Sequence, residues 1–343
     1  MYFAIIDCGT TNSRIYIVNE KKEIVGKATR GVGVKNVAVE GSSRILKEEL
    51  KETFLEAVQN ANLKLDDVSF AISSGVITSE IGLLEIPHLS APVSIDELAQ
   101  NVKKIKDIRI FPLDIPLFFI RGIKTTGNIK TPNLMNAGKV DFMRGEETQV
   151  AGFLSTYNYD LPLTVIFLTS HTKYVSINKK GKIAGSLTTL SGQVYEAIIK
   201  RTVISKSVRK TDDFDDSCFF DTEIIECARY WVKEGGFLRT LLMPRLADVL
   251  LKTKWYERKL FLEAAIAAED MNAIGQFERF GFPKDAGFVI IGENDRRCRI
   301  YKYLLQKMKL KSPSKIISDT KSIDMLTING TIEIARRGKL LEG

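Results

Sequence analysis

Two segments of this chain, 159 residues apart, follow one plan. Asn19-Glu-Lys21-Lys-Glu-Ile24-Val-Gly26 is echoed by Asn178-Lys-Lys180-Gly-Lys-Ile183-Ala-Gly185, an offset of 178 − 19 = 159. Carried back without a gap, the offset lays Thr10-Thr11-Asn12-Ser13-Arg14 on Thr169-Ser170-His171-Thr172-Lys173. Each copy reads as an apolar strand, a turn of small hydroxyl residues, a basic residue, a second strand, an Asn/Lys hairpin and a third strand. A chain that builds two such lobes has a natural ligand site where their turns meet, because pockets favour domain interfaces.

The first copy carries recognisable chemistry. Phe3 to Ile6 is a buried strand that ends at Asp7, Cys8 and Gly9, passes through Thr10, Thr11 and Asn12, and resumes at Ile15. Glycine and threonines in a tight turn aim N–H groups and hydroxyls at one spot, which suits phosphate. Asp7 at the strand end is placed to hold Mg²⁺ through its waters. The plain alternative is a simple hairpin turn. Repetition of the motif favours the ligand reading, since two phosphate-gripping turns facing across a cleft resemble the actin, sugar-kinase and Hsp70 superfamily. The expected fold is α/β and two-lobed, ribonuclease-H-like, with a duplicated mixed-sheet core and an interlobe cleft.

Length and composition fit two domains: 343 residues, 44% hydrophobic and 27% charged. The net charge of +8 is spread along the chain, with no aromatic-interleaved basic block, so no nucleic-acid partner is expected. Cys8, Cys218, Cys227 and Cys298 have no CxxC spacing, and two histidines are too few to propose a structural zinc. A first strand starting at Tyr2 leaves no room for a signal peptide, and no 18-residue apolar run exists. A cytoplasmic protein with no membrane association is expected, a homodimer being possible.

Helical spacing of Ile45, Leu46, Leu50, Phe54, Leu55 and Val58 predicts a helix over 42–60. Val68–Ile72 is the next strand, and Ser74 to Gly82 after it is a candidate substrate loop, since ligands gather beyond strand ends. Ser94 to Ile105 reads as a helix with a Ser94/Glu97 capping box, and Ile108 to Phe111 as a strand. The polar Gly122–Gly138 stretch predicts a surface loop near a lobe boundary, giving lobes 1–139 and 140–343. Met143-Arg144-Gly145-Glu146-Glu147 is a charged knot entering a helix. In the second lobe, strands are expected at 163–168, 174–177 and 183–187, helices near 220–233 and 257–280, and a solvated acidic loop at Asp212–Asp216. A strand at 288–291, a helix at 297–308, a strand at 315–317 and a helix from Asp324 close the chain.

Phe142-Met143-Arg144-Gly145-Glu146-Glu147-Thr148-Gln149 is similar to the Met-Arg-Gly-Glu-Glu-Thr-Gln stretch of the 2-dehydro-3-deoxygalactonokinases. Asp7-Cys-Gly9-Thr10-Thr11-Asn12-Ser-Arg14 resembles their Asp-x-Gly-[Ser/Thr]-Thr-Asn-x-Arg, Ser170-His171-Thr172-Lys173-Tyr174-Val175 their Thr-His-x-Lys-Trp-Val, and Ser191-Gly192-Gln193 their Thr-Gly-Glu. The motifs keep the family's order along essentially the whole chain. The resemblance implies transfer of phosphate from ATP, with Mg²⁺, to the terminal hydroxyl of a small sugar acid, 2-dehydro-3-deoxy-D-galactonate. It implies a metal and phosphate grip from Asp7, Gly9, Thr10, Thr11, Asn12 and Arg14. Ser170, His171, Lys173, Gly192 and Gly292 would lie on the nucleotide, and Ser74, Gly75 and Glu147 by the substrate. Gly145-Glu146 looks similar to the Gly-Asp of glycerol-kinase-like enzymes, which makes Glu146 the base. Arg144 would pair the substrate carboxylate or bind the transferred phosphate. Three departures fall on the nucleotide side: Thr169 stands where the family has glycine, Gln193 replaces Glu, and Glu293 follows Gly292. A non-catalytic, sugar-acid-binding descendant is the alternative they support.

Overall fold

The structure is a computed structural model that describes residues 1–342 apart from 10, 11, 35, 36, 38–40, 127, 128, 130–132 and 312. It divides into two compact units. The first comprises Met1–Tyr159, Gly181–Gly185 and Asp324–Gly343, the second Asp160–Lys180 and Ser186–Ile323. The boundary expected at 139/140 thus falls at 159/160, and the last segment belongs with the first unit.

The first unit is organised on β1 (Tyr2–Cys8), whose Phe3–Ile6 are buried because the strand lies mid-sheet with both faces covered. β2 (Ser13–Asn19) returns antiparallel from it, and β3 (Ile24–Arg30) pairs antiparallel to β2. On its other side β4 (Val68–Gly75) runs parallel to β1, aligning Asp7 with Ser74 and Cys8 with Gly75. Of the shorter strands β5 (Leu89–Ser90), β6 (Lys103–Ile105), β7 (Leu117–Phe119), β8 (Ile123–Thr126) and β9 (Val140–Met143), β7 and β6 complete the order β3-β2-β1-β4-β7-β6. The other three form a small sheet, β5-β8-β9. Helix α1 (Arg44–Asn60) buries Leu46, Leu50, Phe54, Ala57 and Val58 against the main sheet. Gly26 permits that contact, since a Cβ there would lie 2.4 Å from the Ala57 carbonyl oxygen.

The predicted helix over Ser94–Ile105 has its capping box, with Ser94 N donating to Glu97 Oε2 at 2.7 Å and Glu97 N to Ser94 Oγ at 3.2 Å. It ends early, however: α2 is Ile95–Gln100, and Lys103–Ile105 is strand β6. The strand expected at Ile108–Phe111 is a turn; Pro112 and Pro116 punctuate this stretch and the strand forms beyond them, as β7. Part of the expected Gly122–Gly138 loop is ordered as β8. Helix α3 (Glu146–Thr156) then crosses the C-terminal helix at two glycines. A Cβ on Gly152 would meet the Leu326 carbonyl oxygen at 1.9 Å, and one on Gly330 that of Thr148 at 1.8 Å.

The second unit repeats the opening. β10 (Leu163–Leu168) pairs antiparallel with β11 (Thr172–Ile177) and parallel with β13 (Gly287–Ile291), in the order β12-β11-β10-β13-β14 with β12 (Ile183–Thr189) and β14 (Pro313–Ile317). The duplicated sheet is therefore present, but the gapless offset is not. Four residues separate Cys8 from its partner Ser13, whereas three separate Leu168 from Thr172 (172 − 168 − 1). The second turn is one residue shorter, and Phe167 stands opposite Lys173 where Asp7 stands opposite Arg14.

Helices α4 (Ser191–Arg201), α5 (Ile204–Ser207), α6 (Thr222–Gly235), α7 (Phe237–Leu251) and α8 (Trp255–Asp270) follow. α7 is absent from the sequence expectation, having Pro244 within it and exposed Leu238, Leu250 and Leu251 in place of a one-sided apolar stripe. In α8, Ala264, Ala265 and Ala267 are buried as expected of a close helix contact, and 3₁₀ turns take over from Met271. Asp216 does not lie in a solvated loop: it pairs with Lys259 at 2.7 Å and Arg296 at 2.8 Å, and Arg296 also pairs with Glu263 at 2.8 Å. Helix α9 (Asp295–Lys307) leads to β14 and then α10 (Thr320–Arg337). Among the described residues no helix is long and apolar enough to cross a membrane.

Candidate active site

The first turn begins where β1 ends. Thr10 and Thr11 lie outside the described residues. Around them, Gly9 N donates to Asn12 O at 2.9 Å and Val34 N to Gly9 O at 3.3 Å, while exposed Asn12 leads into β2. The Asp7 carboxyl is 27% exposed and meets Arg14 Nη1 at 3.5 Å. Burial pushes its pKa up, Arg14 pulls it down, and Asp324 adds a smaller upward push. Asp324, near the start of α10, also takes Arg14 at 3.3 Å, Lys27 at 3.6 Å and the Tyr16 hydroxyl at 3.3 Å. Arg14 therefore stands between two carboxylates, one of which had no motif to reveal it.

Ser74 and Gly75 close the same end of the sheet. Ser74 and Gly75 are buried, as are Ile77, Thr78 and Ser79, so exposure in the predicted substrate loop begins at Glu80. Gly75 has φ +91°, and a Cβ there would stand 2.9 Å from the Cys8 carbonyl oxygen, so only glycine fits. Gly145, at φ +110°, comes against it: a Cβ built on Gly145 would lie 3.5 Å from Gly75 Cα. The knot and the end of β1 are thereby brought together through two glycines.

Within the knot, Gly145 is the N-cap and Glu146 the first residue of α3. Glu146 is half-buried, whereas Glu147 is fully buried. Both Glu147 oxygens accept from Gly145 N at 2.9 Å, and Thr148 Oγ1 donates to Oε1 at 3.2 Å. Burial, reinforced by the neighbouring Glu146 charge, pushes the Glu147 carboxyl up to about 7. Arg144 donates from Nη1 to Thr78 Oγ1 at 2.6 Å and from Nη2 to the Ile86 carbonyl at 2.9 Å. Much of its guanidinium fork thus holds the loop after β4 in place.

In the second unit, Thr169 and Ser170 are exposed and Lys173 is buried with Nζ 3.0 Å from Thr188 Oγ1. Thr169 Oγ1 donates to His171 O at 2.8 Å, and Ser170 Oγ lies 3.3 Å from His171 Nδ1. Burial, then the Lys173 charge, lowers the His171 pKa. Gly192 supports the turn, since a Cβ there would reach Thr169 O at 2.3 Å, and Gln193 N donates to Ser170 O at 2.9 Å. A Cβ on Gly292 would likewise stand 2.8 Å from Leu168 Cβ, and exposed Glu293 follows. The residue missed from sequence is Arg297, in the first turn of α9. It donates from Nη1 to Thr169 O at 2.9 Å and from Nη2 to Thr172 Oγ1 at 2.9 Å and Ser191 Oγ at 3.1 Å.

Residues 7–324 match the family model described as 2-keto-3-deoxy-galactonokinase. The chain belongs to that family. A curated Rhizobium meliloti relative named probable 2-dehydro-3-deoxygalactonokinase is 26% identical over 218 residues, 62% of this chain and 61% of the relative's length. A Sinorhizobium meliloti crystal structure bearing the same provisional enzyme name aligns over 97% of this chain and 98% of its own, with TM-score 0.72 and 19% identity. That likeness establishes the galactonokinase fold for the whole chain.

The donor set fits the cation such a kinase uses. Among the described residues no three His, Cys, Asp or Glu side chains gather to hold a metal. Asp7 offers one partly exposed carboxylate, which suits Mg²⁺ bound through waters and substrate phosphates and does not suit an all-protein cage.

Proposed function

We propose that this protein is an ATP-dependent kinase acting on the terminal hydroxyl of 2-dehydro-3-deoxy-D-galactonate. The observation that carries the reading is the junction of Asp7, Gly75 and Gly145-Glu146 at one end of β1 and β4. There the turn that would hold phosphate and metal lies beside the strand end whose Gly75 meets Gly145, the residue before Glu146. Asp7 would hold Mg²⁺, whose chemistry is to neutralise charge building up on the phosphate oxygens. Gly9, Thr10, Thr11 and Asn12 would grip phosphate, with Arg14 kept nearby by Asp324. Glu146 would accept the hydroxyl proton as the oxygen attacks, an effect worth roughly 10²–10⁴-fold.

Arg144 would position the Ser74–Gly82 loop and present its remaining N–H groups to substrate. Ser170, His171 and Lys173, with Gly192 and Gly292 behind them and Arg297 bracing the turn, would serve the nucleotide. The protein would act in the cytoplasm. A homodimer belongs to the same proposal, and sedimentation velocity reads it directly.

A coupled ADP-release screen over 2-keto-3-deoxy sugar acids, run with wild type and Asp7→Ala, tests the reading. Turnover of the galactonate-derived acid by wild type, abolished in a folded Asp7→Ala, is expected. Absence of turnover with every acid, alongside tight sugar-acid binding, would favour the non-catalytic alternative.

A further inference from the structure

The small sheet beside the knot gathers positive charge that, among the described residues, forms no ion pair with a carboxylate. Gly122 lies where two side chains converge: a Cβ there would stand 2.8 Å from both His88 Cδ2 and Arg144 Cγ. The His88 ring meets Phe142 edge-on at 5.4 Å. Phe142 is 61% exposed and stands opposite Lys124 in the β8–β9 register, so Lys124 and Phe142 share one face. From the other side Arg121 donates through Nε to Pro87 O at 2.8 Å and through Nη2 to His88 O at 3.5 Å.

Three cations, Arg121, Lys124 and Arg144, thus surround one imidazole. Among the described residues none of the three forms an ion pair with a carboxylate. The charged groups that face His88 are these three and exposed Glu80; Glu147, then Glu80 and Glu85, also act on Arg144, without reaching ion-pair distance. Burial and the three cations hold the His88 pKa down to about 4, leaving the ring neutral near pH 7. Its Nε2 is shielded from solvent and has no hydrogen-bond partner. Unbalanced cations beside an unsatisfied ring nitrogen describe a site that an anion would complete.

We propose that Lys124, Arg144 and His88, with Arg121 behind them, form the subsite for the carboxylate of the sugar acid. The proposal deepens the kinase reading and rests on it for the ligand's identity. Arg144 is held by Thr78 and Ile86, so it contributes a fixed charge, while Lys124, free of such ties, closes on the carboxylate. A neutral sugar would leave the cations unpaired, which makes this cluster the part of the site that selects acids.

The test uses Lys124→Gln, Lys124→Arg and His88→Ala in the full chain, with melting curves to confirm folding. Lys124→Gln is expected to raise KM for 2-dehydro-3-deoxygalactonate by about tenfold or more, with KM for ATP and kcat little changed, and Lys124→Arg to recover most of the loss. Calorimetry with the sugar acid alone should show the same loss of affinity. Wild-type affinity in both Lys124→Gln and His88→Ala would overturn the subsite while leaving the kinase reading in place. If wild type phosphorylates no 2-keto-3-deoxy acid, the kinase reading fails separately. Calorimetry with pyruvate, D-gluconate and neutral D-glucose then decides the subsite: Lys124-dependent binding of the acids upholds it, and none overturns it.

Discussion

Glu147 chelates the Gly145 amide, both carboxylate oxygens standing 2.9 Å from one nitrogen. The contact pins the residue before Glu146 and sets the angle at which α3 starts. Glu147 is thus a positioning residue, fully buried and tied to the Gly145 backbone, whereas the resemblance places it by the substrate.

Its burial has a pH signature. A carboxyl raised from 4.5 to about 7 in the folded state binds more protons there than in the unfolded chain. The native state therefore loses stability as pH rises from about 4.5 to about 7, by an amount on the order of 3 kcal/mol at most. Glu147→Gln cannot ionise and escapes that loss. The melting temperature of Glu147→Gln relative to wild type is expected to climb between pH 5 and pH 8; a constant difference would contradict the assignment.

Glu146→Gln preserves shape but cannot take a proton. Its kcat should fall by roughly 10²-fold or more with KM little changed. Steady-state kinetics with ATP and the sugar acid check this, and near-wild-type turnover would transfer the base role to Asp141, the next carboxylate along.

Arg297 braces the second turn at three points. Arg297→Gln should weaken ATP binding by about tenfold, the scale of one lost charge-assisted hydrogen bond, and leave KM for the sugar acid unchanged. Nucleotide calorimetry reads it.

Gly330→Ala would drive a Cβ into the Thr148 carbonyl, where backbone has no room to yield. A loss of at least about 2 kcal/mol is expected by denaturant titration. Gly138→Ala, whose Cβ would meet nothing within 4 Å, is the control that should stay near wild type.

The local motifs were legible from sequence because strand, turn and strand are contiguous in both copies, so one alignment of apolar runs exposed the three opening strands of each unit. The knot was legible for the same reason. Arg297 was not, since 128 residues separate it from Thr169 and an arginine in a helix's first turn looks like a solvated charge. Asp324 was hidden likewise, 310 residues beyond Arg14 (324 − 14). The missing residue in the second turn escaped because Asn19 and Asn178 align without it; only the pairing of Phe167 with Lys173 reveals the shift. Lys124 and His88 gave no signal either, being joined only by the cross-strand register and the close packing that Gly122 permits.

The backbone contact of Gly152 with α10 sets an order of assembly. The partner of α3 leaves the ribosome 165 residues after Tyr159 (324 − 159), a delay of roughly 10–30 s at ordinary elongation rates. Through that interval Gly152 of α3 lacks the helix it packs against, while the residues of the second unit are still being made. The half of the molecule begun first is completed last, and nascent chains halted short of Asp324 should be the ones chaperones hold.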